Sequence, residues 1–532
     1  MVNNSDTQQS WPQFTQSAYK PDGYPAWLEP IFRDILQARI YDLAVETPLT
    51  PMSSLSQKYG HKLHLKREDM QPVFSFKLRG AYNRIRKLPR DVMDKGIVCA
   101  SAGNHAQGVA LSAKKLGIRA VIVMPATTPD IKVASVRANG GEVVLHGDTF
   151  DQALAKALSY VDEGLEFIHP YDDPSVIAGQ GTIGLEVLKQ GPEDIHAVFV
   201  PIGGGGLAAG VGAYIKYLQP NIRVIGVESV DSASMKLALE QDERAILKSV
   251  GLFADGIAVK QAGDLNFKIC REVLDDIITV TPDEMCAAIK DIFEATRSIS
   301  EPSGAVAVAG MKKYLEALPE DNTETLSCVA ISSGANMNFD RLRHIAERAA
   351  IGEQKEALLA VSIPEEIGSY RKLVTILGDK SISEFNYRYA NHNKKASIFI
   401  GVQIAGRKDR EALIERLNSN GYETVDLTDN EMAKVHLRHT VGGRSVDMPD
   451  ERIFRFIFPE KPGALKAFLD QLGQQWNISL FHYRNHGADY GRVLVGLNVP
   501  AETAESFNAH LEALGYTFEE ETENPAYLHF LR

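Results

Sequence analysis

The sequence predicts an α/β protein with open parallel sheets in its first part and a duplicated α+β module in its second. In residues 45–345, short β-branched runs alternate with amphipathic helical stretches, a pattern typical of parallel sheets with helices on both faces. After residue 357 this alternation stops, and one pattern of residues occurs twice. The two parts therefore have different architectures and, we expect, different roles.

Composition limits the function before any motif is considered. The chain has 532 residues, enough for about three domains, with 44% hydrophobic and 24% charged residues, as in soluble globular proteins. A net charge of -12 argues against nucleic-acid or membrane-surface partners. No apolar run approaches a membrane span, and residues 1–20 resemble a flexible polar tail rather than a signal or transit peptide. The four cysteines form no CxxC pair, so we expect a cytoplasmic enzyme.

The first part, predicted to be one catalytic domain over residues 21–345, contains clear strand and helix patterns. Amphipathic helices are predicted at 106–117 and 207–218. In parallel sheets, ligands bind at the carboxyl ends of the strands, so the loops after these runs are the candidate sites. The strand-like runs are AVIVMP (120–125), GEVVLHG (141–147), AVFVPIGGGG (197–206) and IRVIGVES (222–229).

A charged, helix-like connector at 346–356 leads to the repeat. The segment from Ile363 matches the segment from Phe458, with Pro364 and Gly368 recurring 95 residues later. Each copy reads strand, turn, helix, strand, strand, helix, strand, which predicts a ferredoxin-like module. We place the two modules at 357–430 and 451–524.

The run VPIGGGGLAAG (200–210) follows a strand and opens a helix. Consecutive glycines and a helix N-terminus form an anion site, so a phosphate is expected on Gly203–Leu207, that is, on Gly203, Gly204, Gly205, Gly206 and Leu207. The same residues also satisfy the GxGxxG/A pattern, and Glu228 ends the next strand 25 residues after Gly203. The motif alone therefore leaves a nicotinamide dinucleotide open.

Two further polar loops follow apolar runs. In CASAGNHAQG (99–108), small residues around Asn104 allow close approach of a ligand, and the amides of Ser101–His105 are suited to a carboxylate. His105 itself is more often structural than an acid–base catalyst in such a loop. The third loop, SSGAN, places Ser333 after another strand. We expect the three loops to line one polar pocket.

Lys77, in QPVFSFKLRG, stands directly beside Phe76. Alone, this pattern favours a surface lysine whose stem lies along an aromatic ring. The predicted phosphate loop and carboxylate loop favour a reactive lysine instead, because pyridoxal 5'-phosphate needs a phosphate site and a lysine amine. No metal-type cluster, GxSxG elbow or Walker lysine is present, so no metal site is predicted.

SFKLRGA, SAGNHAQG, GGGGL, SEPSGA and SSGAN, in this order, resemble the fold-type II pyridoxal-phosphate enzymes. Together with the duplicated module, which resembles a tandem ACT-like regulatory domain, they resemble the biosynthetic threonine dehydratases (threonine deaminases). The resemblance implies that Lys77 is the catalytic, cofactor-linked lysine, Phe76 packs on the ring, Asn104 binds the ring hydroxyl and Ser333 faces the ring nitrogen. It also implies phosphate binding by Gly203–Leu207 and binding of the substrate carboxylate by Ser101, Ala102, Gly103, Asn104 and His105.

The function implied by this resemblance is elimination of water from L-threonine, and also from L-serine. The product, 2-aminocrotonate, hydrolyses to 2-oxobutanoate and ammonia in the first step of isoleucine biosynthesis. Isoleucine is expected to inhibit, valine to oppose it, and the enzyme to be a homotetramer. The expected effector residues are Phe385, Tyr387, Phe481 and Tyr483.

Three alternatives stay open at this point. A serine dehydratase or racemase shares the first-part motifs but lacks the tandem modules. A nicotinamide-dependent oxidoreductase rests on the glycine fingerprint only. An amino-acid-binding regulator with an inactive catalytic part is weakened by the intact Lys77. Serine racemases carry carboxylates where this chain has Ser232 and Ser234, so a divalent cation is not expected.

Overall fold

A computed structural model describes residues 26–319, 323–364, 369–378, 380–387, 395–439, 450–459, 476–484 and 490–531. The chain divides into two compact units, one ending at Asn338 and the other beginning at Phe339. None of the helices within these ranges is long and apolar enough to cross a membrane.

The N-terminal unit contains two sheets. The larger has the strand order β1-β2-β10-β7-β8-β9 and the smaller the order β5-β4-β3-β6. The strands are β1 (Leu49–Pro51), β2 (Lys62–Arg67), β3 (Ile97–Ala100), β4 (Ala120–Met124), β5 (Glu142–Leu145), β6 (Glu166–Phe167), β7 (Ile195–Pro201), β8 (Arg223–Ser229), β9 (Asp276–Val280) and β10 (Ser327–Ser332). The helices are α1 (Leu28–Leu36), α2 (Ser53–Tyr59), α3 (Lys77–Arg86), α4 (Arg90–Lys95), α5 (Asn104–Leu116), α6 (Asp130–Ala138), α7 (Phe150–Asp162), α8 (Pro174–Gln190), α9 (Gly206–Leu218), α10 (Ser234–Gln241), α11 (Asp264–Val273), α12 (Pro282–Thr296) and α13 (Pro302–Glu316).

The predicted parallel architecture is confirmed in both sheets. Every pair of neighbouring strands is parallel except β1 and β2, an antiparallel edge that the sequence pattern did not predict. The central strands are continuous apolar runs because helices cover both of their faces; all six residues of β10 are buried. Strands β3, β7 and β10 end at Ala100, Pro201 and Ser332. The three predicted ligand loops follow these ends.

A cluster of fully buried charges anchors α3 to the sheet and to α8. Arg79 bonds to Glu68 (2.7 Å) and to Glu186 (2.5 Å), and Lys66 bonds to Glu186 (2.6 Å). Two cations therefore face two carboxylates, and the cluster is neutral. Buried charges of this kind are tolerated only when they are paired. The cluster fixes the helix that begins at Lys77.

The C-terminal unit contains two antiparallel four-stranded sheets. Their orders, β12-β13-β11-β14 and β16-β17-β15-β18, both place the first strand between the third and the fourth, as in ferredoxin-like folds. The predicted duplication is confirmed. The elements are α14 (Arg341–Gly352), β11 (Glu356–Pro364), α15 (Ser369–Leu377), β12 (Ile382–Tyr387), β13 (Lys395–Gln403), α16 (Arg407–Ser419), β14 (Glu423–Asp426), α17 (Glu431–Val435), β15 (Glu451–Pro459), β16 (Asn477–Arg484), β17 (Tyr490–Asn498), α18 (Ala504–Ala513), β18 (Thr517–Glu520) and α19 (Pro525–Phe530).

Helix α14 spans both the predicted limit at 345 and most of the predicted connector at 346–356. It belongs with the C-terminal unit because Ile351 is buried in an apolar cluster of that unit. The finer domain limits predicted from the sequence stay predictions.

The two modules share an apolar core. Leu359 and Val361 of β11 pack into the core of the first module, whereas Leu358 and Ala360 face the other way. The second face joins a cluster that also contains Ile453 and Leu494 of the second module, among other residues. Each sheet is thus buried on both faces, which explains why its central strands read as nearly continuous apolar runs.

Candidate active site

Lys77 lies where the turn after β2 enters α3. Its backbone amide donates to Ser75 Oγ (3.3 Å), which fixes the start of the helix. Its Nζ donates to the carbonyl of Pro170 (2.8 Å) and lies 5.4 Å from the centroid of the Phe76 ring and 5.9 Å from that of Tyr171. The amine is therefore held in a fixed position between two aromatic side chains.

Burial between these walls lowers the pKa of Lys77 to about 8. An ordinary lysine is almost wholly protonated at neutral pH, whereas this one has a substantial neutral fraction. A neutral amine is required both for nucleophilic attack on a carbonyl and for accepting a proton. The observed site thus favours the reactive interpretation of Lys77 over the surface interpretation.

The glycine loop lies against the same aromatic ring. A Cβ on Gly204 would be 2.4 Å from Cδ2 of Tyr171, and Gly205 has a φ of 95°, which a residue with a side chain rarely adopts. Helix α9 begins at Gly206, so the amides of its first turn have no acceptor within the helix. Tyr171 connects Lys77 to this loop, and one ligand can contact both.

Asn104 begins α5, which lies close to the lysine. A Cβ on Gly108 would be 3.1 Å from the amide nitrogen of Leu78, so a glycine favours this close approach of α5 to α3. Within the predicted carboxylate loop, the amide of Ser101 already donates to Val123 O (3.1 Å). The first turn of α5 is therefore the more suitable part of the loop for an anion.

The side chain of His105 makes a structural hydrogen bond. Its Nε2 donates to the carbonyl of Ile168 (2.9 Å), and burial, with a smaller contribution from Lys77, lowers its pKa to about 3. The ring is neutral at physiological pH and its hydrogen bond holds it away from proton transfer. This geometry favours the structural interpretation of the side chain.

The Ser333 turn completes the arrangement. The carbonyl of Ser333 accepts from the amide of Phe76 (3.2 Å), and its hydroxyl donates to Ser303 O (3.2 Å). A Cβ on Gly334 would be 3.2 Å from Asn104 Nδ2. The three predicted loops therefore converge around Lys77. The role of Ser333 toward a ring nitrogen stays a prediction.

The sequence reasoning missed several residues that shape this site. Tyr171 and the Pro170 carbonyl come from a loop with no glycine motif and no periodicity, so nothing local marked them. The side-chain amide of Asn266 donates to the carbonyl of Gly204 (2.8 Å) and so fixes the position of the glycine loop. Glu301 lies inside the SEPSGA motif, but the sequence alone does not show that this acid is buried beside Asn104.

Glu228 does not support a dinucleotide. Its carboxylate accepts from the backbone amides of Met235 (2.9 Å) and Lys236 (2.8 Å), so it caps α10 rather than facing the glycine loop. Burial raises its pKa to about 7. A ribose would need this carboxylate free, so the geometry disfavours the nicotinamide alternative.

Family comparisons agree with this site. Residues 40–333 match the family described as pyridoxal-phosphate dependent enzyme. Residues 347–437 and 442–531 each match the C-terminal regulatory domain of threonine dehydratase. The chain belongs to the threonine dehydratase family. Its two matched regulatory segments are the two ferredoxin-like modules described above.

Individual relatives extend over nearly the whole chain. The biosynthetic L-threonine dehydratase of Burkholderia multivorans is 54% identical over 503 residues, covering 94% of this chain and 98% of the relative. That of Escherichia coli is 52% identical over 503 residues, covering 94% and 96%. The solved structure of the processed form of threonine deaminase isoform 2 from Solanum lycopersicum superposes with a TM-score of 0.60 at 48% identity, covering 63% of this chain and 91% of that one.

Threonine dehydratases of this family depend on pyridoxal phosphate, and the residues present fit that group. A loop that admits only glycine lies at the start of α9, where a phosphate binds well. Lys77 provides an amine of lowered pKa 5.9 Å from the centroid of the same Tyr171 ring. Gly203–Leu207 would hold the phosphate, Lys77 the aldehyde carbon and Asn104 the ring hydroxyl.

The predicted effector residues are only partly visible. Phe385 and Tyr387 belong to β12 and Tyr483 to β16, but their side chains lie outside the described residues. Phe481 packs against the core of the second module, in a cluster with Phe454 and Trp476. The first module also has a cavity of about 190 Å³, whose lining includes Glu356, Ile404, Arg407, Arg410 and Asp429.

Proposed function

We propose that this chain is an L-threonine ammonia-lyase that releases 2-oxobutanoate and ammonia and also accepts L-serine. One observation carries the proposal: a lysine of lowered pKa, a glycine phosphate loop, Asn104 and the Ser333 turn meet in one site. Membership of the threonine dehydratase family supports the choice of substrate. The duplicated regulatory modules disfavour a serine racemase, and Lys77 disfavours an inactive catalytic unit.

When bound, pyridoxal phosphate supplies an electron sink for the negative charge that develops at the substrate Cα. Lys77 supplies the base: its Nζ, neutral in part because of its apolar surroundings, takes the Cα proton. The carbonyl of Pro170 holds that nitrogen in place (2.8 Å). Phe76 and Tyr171 lie beside the amine, and this partly apolar environment lowers its pKa in the free site.

The substrate carboxylate is placed at the first turn of α5, where Asn104 and His105 begin a 13-residue helix. Unpaired helix amides favour an anion there, and no side-chain cation is needed. The proposed role of Lys77 requires that the Cα proton of a substrate bound there faces its Nζ. Gly203–Leu207 would hold the cofactor phosphate on the glycine loop, and an acid there would supply the proton with which the β-hydroxyl leaves as water.

The decisive experiment combines spectroscopy with turnover. The purified protein supplied with pyridoxal phosphate should show a visible band that shifts on addition of threonine, and should release 2-oxobutanoate. Borohydride should attach the cofactor irreversibly to the peptide that contains Lys77, as identified by mass spectrometry. Lys77→Ala should lose both the band and turnover.

Lys156→Ala is the matched control, because Lys156 also lies over an aromatic ring, 4.7 Å from the centroid of Tyr160, but belongs to α7, which contains none of the predicted site residues. Its band and turnover should equal those of the wild type. Turnover by Lys77→Ala, or a wild-type protein without any visible band, would refute the proposed activity.

Regulation is the second element of the proposal. Isoleucine inhibits and valine opposes it, by binding where the two modules meet, near Tyr387 and Tyr483. The protein acts as a homotetramer in the cytoplasm, a location supported by the four buried free cysteines. The support for the effectors is the pair of threonine dehydratase regulatory segments.

Inhibition curves test the location of the effector site. Tyr387→Ala and Tyr483→Ala should raise the isoleucine concentration for half-inhibition at least tenfold, with threonine turnover retained. Arg410→Gln, beside the cavity of the first module, is the comparison. Loss of inhibition in Arg410→Gln alone would move the site to that cavity. Light scattering of the full chain tests the tetramer.

A further inference from the structure

We propose that Glu301 is a positioning residue that orients the side-chain amide of Asn104 and so presents one N–H to the cofactor site. The proposal rests on the proposed function, because it concerns the residue that would bind the ring hydroxyl. Glu301 acts only through Asn104 and is not assigned any contact with substrate or cofactor.

The amide of Asn104 is held at both ends. Its Oδ1 accepts from Asn336 Nδ2 (2.7 Å), and its Nδ2 donates to Glu301 Oε1 (2.6 Å). Asn336 Nδ2 also donates to the carbonyl of Val73 (2.7 Å). Both protons of the Asn336 amide are thereby used, so the atom of Asn104 that faces it must be the oxygen. The nitrogen of Asn104 must then face Glu301.

Counting protons shows what this arrangement leaves. The Asn104 amide nitrogen carries two protons, of which Glu301 accepts one. The second proton is the single donor that Asn104 can offer to a ligand. If the amide rotated by 180°, its oxygen would face the carboxylate, and its nitrogen would face the donor group of Asn336. Glu301 and Asn336 thus select one orientation of Asn104 out of two.

Glu301 is itself tightly placed. It is buried at the turn that leads into α13, and a Cβ on Gly334 would be only 2.6 Å from its Oε1. Asp255 and Lys132, which form an ion pair with each other (2.8 Å), are the charged groups that act on it, and the backbone N–H of Asn336 donates to it. Burial, and secondly Asp255, raise the pKa of Glu301 to about 7.

No salt bridge to Glu301 occurs within the described ranges of the chain. A buried carboxylate without a cationic partner is costly to keep unless it has a specific hydrogen-bonding task. The bond to Asn104 is that task. If this position served only for packing, an apolar side chain would fill it without the cost of burying a carboxylate.

Cofactor affinity is the direct measurement, since it reports on Asn104 before any reaction. The protein stripped of cofactor is titrated with pyridoxal phosphate and the growth of the visible band is followed. Glu301→Ala should weaken binding about tenfold, the effect of one lost hydrogen bond to a charged group. Glu301→Gln, which keeps an oxygen acceptor for Asn104, should restore affinity to within about threefold of the wild type.

Ser303→Ala is the matched control. Ser303 is buried two residues further along, in the first turn of α13, and its hydroxyl has no hydrogen-bond partner in the described part of the chain. Its affinity should stay within about twofold of the wild type. A loss equal to that of Glu301→Ala would mean that any change in this turn disturbs the site.

A double-mutant cycle separates positioning from packing. If Glu301 acts through Asn104, Glu301→Ala should have little further effect in an Asn104→Ala background, so the two losses should not add. A structural role would give additive losses in affinity. The position of the visible band should also shift equally in Glu301→Ala and Asn104→Ala, and remain at the wild-type wavelength in Glu301→Gln.

The outcomes distinguish this proposal from the proposed function. A wild-type protein that shows no visible band with pyridoxal phosphate refutes the function, whatever the variants do. A wild type that binds cofactor and converts threonine, with unchanged affinity in Glu301→Ala or additive losses in the cycle, refutes the positioning role alone. Circular dichroism of each variant establishes that it is folded.

Discussion

Lys77 should destabilise the protein that it makes active. Its ammonium lies against Phe76 and Tyr171, and burial lowers its pKa from 10.5 to about 8. At 1.36 kcal/mol for each factor of ten, this corresponds to a penalty of at most about 3 kcal/mol. Because the amine keeps a hydrogen bond and is only half-buried, we expect about 1–2 kcal/mol. Replacing it by methionine, an apolar side chain of similar length, should remove this penalty.

The dependence of the free energy of unfolding on pH shows the direction of the effect of Lys77. Between pH 8 and 10.5 the unfolded chain binds a proton at Lys77 that the folded chain does not, so the stability of the wild type rises with pH in that window. Lys77→Met should therefore be more stable than the wild type at pH 7. Its advantage should shrink above pH 8 and vanish near pH 10.5, where the lysine is neutral in both states.

Urea unfolding of the cofactor-free proteins at pH 7 and pH 9.5, followed by circular dichroism, measures this difference. Lys156→Met is the control for loss of a lysine that lies over an aromatic ring. A Lys77→Met protein that is no more stable than the wild type at pH 7 would refute the reasoning. A gain that is the same at both pH values would assign it to packing rather than to charge.

Three further sets of variants test the site's surroundings. Arg79→Met should lower the free energy of unfolding by about 3–5 kcal/mol in urea titrations, since two buried carboxylates lose their common partner; unchanged stability would contradict it. Gly204→Ala should weaken pyridoxal phosphate binding at least tenfold, because its Cβ would meet Tyr171 at 2.4 Å, and Tyr171→Ala in the same chain should restore part of the loss. Lys132→Glu and Asp255→Lys should each raise KM for threonine about two- to fivefold, because both charges act on the buried Glu301. The protein with both charges exchanged should return toward the wild-type KM. A change in the double variant that equals the sum of the two single changes would show that the two charges do not interact.

The sequence predicted those features that are local. A β-branched run followed by small residues predicts a strand and its loop, which is why the sheets, the glycine loop and the repeat were found. The lysine and Asn104 were found because their neighbours in the chain have an unusual composition. Except for the repeat, which was found by matching segments 95 residues apart, residues within about ten positions of one another carried the information.

Strand order could not be read in this way. Strand β10 lies between β2 and β7, although it follows β7 by more than a hundred residues in the chain. This order brings the Ser333 turn beside Phe76, and no local pattern predicts it. Tyr171 and Glu301 acquire their roles only from that arrangement. Likewise, no local pattern marks Lys66 and Arg79, which the structure shows paired with Glu186 in the interior.

The apolar cluster shared by the two modules has a consequence for the transmission of signals. Leu358 and Ala360 of one sheet, and Ile453 and Leu494 of the other, fill the same space. A close-packed interior does not deform continuously, so a shift of either sheet requires repacking of the other. Two ligands that never touch could then oppose each other, because each would stabilise a different packing of one common interior. Antagonism between effectors would be a property of the duplicated sheets themselves.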